Sequence, residues 1–93
     1  MRYKSKTIGE VLRMVRHSKG MTQKQVGLGI GQGDSSIQHY EKGNRDINWH
    51  TLCKVCETLG VNVALVALLT QQDDPTVQHL VPYAMSELWK EKG

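Results

Sequence analysis

A chain of 93 residues, 39% hydrophobic and 23% charged, has room for one domain with a single core and is not a disordered polar chain. Its net charge of +3 conceals an asymmetry: residues 1–45 carry nine bases (Arg2, Lys4, Lys6, Arg13, Arg16, Lys19, Lys24, Lys42, Arg45) against three acids (Glu10, Asp34, Glu41), whereas residues 46–93 are acidic on balance. The longest apolar run, Val63 to Leu69, is far shorter than the ~20 residues a membrane span needs. No apolar stretch follows the basic start MRYKSKTIGE, so no secretory signal is read there and the cytoplasm is the expected compartment. Cys53 and Cys56 are too few for a disulfide framework. Positive charge gathered at one end is what a polyanion-binding face requires.

In chain order, Thr7 or Ser5 can cap a first helix that carries Ile8, Val11, Leu12 and Val15 on one face and stops at Ser18-Lys19-Gly20. Thr22, with Gln25 three residues on, forms a capping box for a short second helix whose buried side is Val26 and Ile30. Gly31-Gln32-Gly33 breaks it. Gly33 or Asp34 then caps a third helix running to Lys42, with Ile37 and Tyr40 inward and Gly43 as the stop. Asp46-Ile47-Asn48 opens a fourth, in which Leu52, Val55, Cys56 and Leu59 repeat at helical spacing before Gly60, and Trp49 is expected to shield its start.

Residues 62–70 are apolar on nearly every side, so periodicity leaves a buried helix and a short strand both open. Asp74-Pro75 is a helix start, followed by an apolar stripe of Val77, Leu80, Val81, Ala84, Met85 and Leu88 that Pro82 must kink or split. The pattern predicts an all-α chain: a basic arm at 1–6, a compact domain at 7–70 and a helical extension at 71–93.

Two short helices joined by a glycine-containing turn define a helix-turn-helix unit. Residues 21–43, MTQKQVGLGIGQGDSSIQHYEKG, resemble the lambda-repressor and Cro-type (XRE) family without a gap, and the likeness extends from Thr7 to Leu69. It implies a five-helix DNA-binding domain that binds double-stranded DNA, needs no cofactor and is not an enzyme. By this resemblance Asp34, Ser35, Gln38 and His39 reach base edges. Thr22, Gln23, Lys24, Lys42, Asn44 and Arg45 contact phosphates, and Arg16 and Glu41 form a pair tying the first helix to the third. The chemistry suits these roles: Gln bonds adenine in a bidentate manner, whereas Asp34 beside a polyphosphate is better read chiefly as a helix cap.

The chain departs from the family at Gly27, where Ala is usual, at Leu28 or Gly29, where a polar residue is usual, and at Ile47, which replaces a common Pro. Gly27 has a packing rationale, close approach of the third helix. Gly29 has none in the sequence, and a loose or partly 3₁₀ second helix is expected there.

His50, Cys53 and Cys56 at i, i+3 and i+6 drift around a helix and fall short of the four ligands of structural zinc, so no metal site is expected. The glycine run lacks the G-K-[ST] of a phosphate loop. Surplus apolar surface at Val63, Val66, Leu69, Val77, Leu80, Val81, Met85 and Leu88 predicts a homodimer through residues 61–93. The alternative is an antitoxin, since short members of the resembled family use such extensions to bind a toxin protein.

Overall fold

The computed structural model describes residues 7–70 and, beyond them, Pro82 and Ser86, which are helical and exposed. The basic arm and the extension residues Val77, Leu80, Val81, Met85 and Leu88 lie outside the described residues. Among the described residues the order is α1 (Ile8–Ser18), α2 (Gln23–Gly29), α3 (Asp34–Lys42), α4 (Trp49–Leu59) and α5 (Val63–Thr70), with no strand.

Local chemistry sets most of these boundaries. Thr7 caps α1 through a reciprocal box with Glu10: the Thr7 backbone N–H donates to Glu10 Oε1 at 2.9 Å, and the Glu10 N–H donates to Thr7 Oγ1 at 3.1 Å. Thr22 and Gln25 repeat the arrangement at α2, at 2.8 and 3.0 Å. Asn48 caps α4 by accepting from the Thr51 N–H at 2.8 Å. Gly33, not Asp34, is the N-cap of α3; Asp34 is the first helical residue, where its negative charge still suits the positive end of the helix. The ambiguity at 62–70 resolves as a helix, with Asn62 Oδ1 accepting from the Ala64 N–H at 2.8 Å.

The turn between α2 and α3 requires glycine. Gly31 has φ +73°, a left-handed conformation that side chains with a β-carbon rarely adopt, and the Gln32 N–H closes the turn on the Gly27 carbonyl at 2.8 Å. A β-carbon at Gly27 would stand 2.7 Å from the Gln32 carbonyl oxygen, so the close approach comes from the turn leading into α3 rather than from α3 itself. Gly29 has a packing role that the sequence did not reveal, because a β-carbon there would collide with the Thr58 side chain of α4. α2 is regular α-helix to Gly29, and the expected 3₁₀ character is confined to its end, where the Ile30 N–H divides between the Val26 and Gly27 carbonyls, both at 3.2 Å, and the Gly31 N–H donates to the Leu28 carbonyl at 3.3 Å.

One core joins all five helices. Val11, Leu12 and Val15 of α1, Val26 of α2, Ile37 of α3, Val55, Cys56 and Leu59 of α4, and Val66 and Leu69 of α5 are all buried. Each such side chain contributes about 1.5–3 kcal/mol from burial. Val66 and Leu69 therefore belong to the domain's own core, 1% and 0% exposed, rather than to the dimer or partner face expected for them. α5 turns by 106° from α4 and packs back on α1, which is what buries them. Val63 is only partly buried.

Trp49 also departs from expectation. It is 67% exposed and does not shield the start of α4. Together with Ile8, Val63, Ala64 and Ala67 it borders an almost wholly apolar groove of about 390 Å³. No single helix among the described residues is long and apolar enough to cross a membrane.

Candidate nucleic-acid interface

The third helix is held at a fixed angle by a buried polar junction. Arg16 of α1 donates to Glu41 of α3 through both Nε (2.6 Å to Oε2) and Nη2 (2.9 Å to Oε1), a bidentate pair with side chains only 10% and 4% exposed. Arg16 Nη1 donates to the Met21 carbonyl at 2.9 Å, which locks the turn between α1 and α2. Gln23 Nε2 donates to Glu41 Oε1 at 3.1 Å. One carboxylate thus gathers three helices, and its charge is matched within the fold.

A glycine lets the helices come this close. A β-carbon at Gly9 would collide with the Tyr40 carbonyl oxygen and approach that of Glu41 at 2.9 Å. Gly9 carries no signal in the helical periodicity beyond being a glycine in the first turn of an otherwise good helix.

With α3 fixed from behind, its outer edge is presented to solvent. Of the four residues expected on this edge, Asp34, Ser35 and Gln38 are exposed and His39 is half-buried. Lys42, Asn44 and Arg45, at and just beyond the helix end, are exposed as well. Arg45 is steered by α3 itself: its guanidinium lies 5.8 Å from the Tyr40 ring centroid and donates to Ser36 Oγ at 3.3 Å. Tyr40 in turn donates to Gln32 Oε1 at 3.4 Å. Neither Tyr40 nor Ser36 was singled out for this orienting role, which depends on where the loop after α3 returns.

Thr22 and Lys24 are exposed at the start of α2, while Gln23 is half-buried through its bond to Glu41. Between α1 and α3 lies an open groove of about 680 Å³ walled by Arg13, His17, Thr22, Gln23, Gln38 and Lys42, with the Arg16–Glu41 pair in its lining. Arg13 and His17 were not among the expected contacts.

Elsewhere, Cys56 is buried on α4 and its thiol is pushed up to about 11, first by burial and then by the charge of the neighbouring Cys53. Among the described residues, no three His, Cys, Asp or Glu side chains are grouped closely enough to hold a metal ion.

A braced helix with an exposed polar edge, preceded by a short helix and a glycine turn, defines the helix-turn-helix class of DNA-binding proteins. Residues 7–69 match the family model of the helix-turn-helix domain, and the chain belongs to that family. No curated protein matches the sequence significantly. The chain is similar to the crystal structure of the clp gene regulator ClgR from C. glutamicum, with TM-score 0.69 and 25% identity over 72% of this chain and 87% of that one.

Proposed function

We propose that this protein is a transcriptional regulator, acting as a repressor, that reads a near-palindromic operator as a homodimer. The observation that carries this reading is α3 itself: Glu41 ties its inner side to Arg16 and Gln23, while Asp34, Ser35 and Gln38 stand free on its outer side between cations. The similarity to a clp gene regulator supports a regulatory role. In this role Gln38 reads a base, Ser35 and His39 make more permissive contacts, and Lys42, Asn44 and Arg45 grip phosphates.

Homodimerisation is supported by the apolar groove bordered by Ile8, Trp49, Val63 and Ala67, which leaves two large hydrophobic side chains in water. A twofold pairing would set two recognition helices one helical turn of DNA apart, about 34 Å. The same groove keeps a toxin protein as the second reading of its occupant.

Selection of bound duplexes from a random pool at fixed salt tests the reading. The expected result is a short inverted repeat, and Gln38→Ala should relax selectivity at one base pair per half-site at a cost of about 1–3 kcal/mol. Equal weakening on every sequence would make Gln38 a backbone contact. Sedimentation tests the pairing: a chain that stays monomeric on the order of 10 µM would overturn the homodimer and leave the groove to the toxin reading.

A further inference from the structure

We infer that Arg13 and His17 of α1 form an additional site for a DNA backbone phosphate, so that the phosphate track runs across the seam between α1 and α3. This rests on the DNA-binding reading and extends it to a helix that the base-reading unit does not include.

Helical spacing places the two residues there. Gly9, Arg13 and Arg16 follow one another at intervals of four and three, which puts them on one stripe of α1. The two ends of that stripe touch α3, Gly9 at the Tyr40 and Glu41 carbonyls and Arg16 at the Glu41 carboxylate. Arg13 lies between these contacts yet is exposed, because here the helices part into the groove. His17, one turn further on, is exposed on the same wall. Lys42 and Gln38 line the groove from α3.

The electrostatics favour an anion. Glu41, the acid in the groove, already accepts from Arg16 Nε, Arg16 Nη2 and Gln23 Nε2. Glu10, which borders the adjoining concavity with Arg13 and His17, is engaged by the Thr7 backbone and hydroxyl. Arg13 and Lys42 then supply two cationic walls, with a histidine between Arg13 and the turn into α2. Because Gln38 belongs to the same groove, a duplex whose base edge meets Gln38 brings a strand backbone over that opening. A phosphodiester is the anion this geometry delivers, and the guanidinium fork of Arg13 can hold it through two oxygens.

The test measures affinity of the full chain against salt, on the selected operator and on an unrelated duplex. Arg13→Ala should weaken binding to both by the same factor, roughly three- to tenfold, and flatten the log K against log salt slope by about 0.9, one phosphate. Arg13→Lys should restore the slope, which a purely structural role would not require. His17→Ala should weaken both duplexes equally. Ethylation of one phosphate per half-site should block the native protein and not the Arg13→Ala variant.

An Arg13→Ala variant with unchanged affinity and slope, while Lys42→Ala lowers both, would overturn the site and leave DNA binding standing. Binding by the native chain that does not depend on salt would overturn the site together with the reading beneath it.

Discussion

The two sides of this small domain are finished by opposite means. On the side of α2 and α3, helix positions are set by directional polar contacts: a bidentate ion pair, an amide shared onto the same carboxylate, and a glycine that admits two carbonyls. On the side of α5 and the start of α4, contacts are apolar, and the surface ends in a groove with Trp49 and Ile8 in water. Hydrogen bonds and ion pairs fix angles, whereas apolar packing is tolerant of direction. The polar side can therefore hold a recognition helix rigidly, and the apolar side is suited to association.

The sharpest way to break this contrast is at Glu41. Glu41→Ala leaves Arg16 buried without its charge partner, and unfolding by denaturant should show a loss of about 3–5 kcal/mol, with DNA binding weakened beyond what one surface charge explains. A double-mutant cycle with Arg16 should return a coupling of about 0.5–3 kcal/mol, and no coupling would mean that α3 is oriented by packing alone.

A smaller effect is expected at Gly9. Gly9→Ala drives a methyl group into the Tyr40 carbonyl, so the seam must open at a cost of about 1–3 kcal/mol. Thermal unfolding reads the loss, and operator affinity should fall as α3 shifts. Unchanged stability would show that the seam gives way cheaply.

Smallest for the fold is Trp49→Ser, since an exposed side chain that neither caps a helix nor enters the core is worth within about ±0.5 kcal/mol. Its effect should appear instead as weaker self-association in sedimentation. A large drop in melting temperature would place Trp49 on the structural side of the comparison.

The helix boundaries were largely legible because they depend on neighbours in sequence: Thr7 with Glu10, Thr22 with Gln25, Asn48 with Thr51. The core of α1 and α4 was legible from helical periodicity, and Arg16 and Glu41, assigned as a pair by family resemblance, do meet in the structure. What escaped the sequence depends on distant approach. Gly9 and Gly29 matter only because Tyr40 and Thr58, roughly thirty positions away, arrive against them. Val66 and Leu69 were assigned outward because a run apolar on all sides has no preferred face; the turn between α4 and α5 chooses which side is buried. Asp favours the cap position, but the turn places the cap one residue earlier, at Gly33, so that Asp34 is already the first helical residue.

The unequal burial of the two cysteines makes the domain a convenient object for site-selective labelling. Cys56 is 2% exposed and its thiol is pushed up to about 11, so in the folded chain it stays protonated and hidden from electrophiles at neutral pH. Native stability carries the same signature: the unfolded thiol ionises near 9 and the folded one near 11, so stability falls as pH rises through that window. Cys53, only half-buried on the same helix, is left as the one reactive sulfur of the pair. A maleimide dye should therefore attach once per chain, on α4 and away from the edge of α3, leaving operator affinity intact. Fluorescence anisotropy from that single dye would follow the arrival of the domain on DNA and test whether two chains meet.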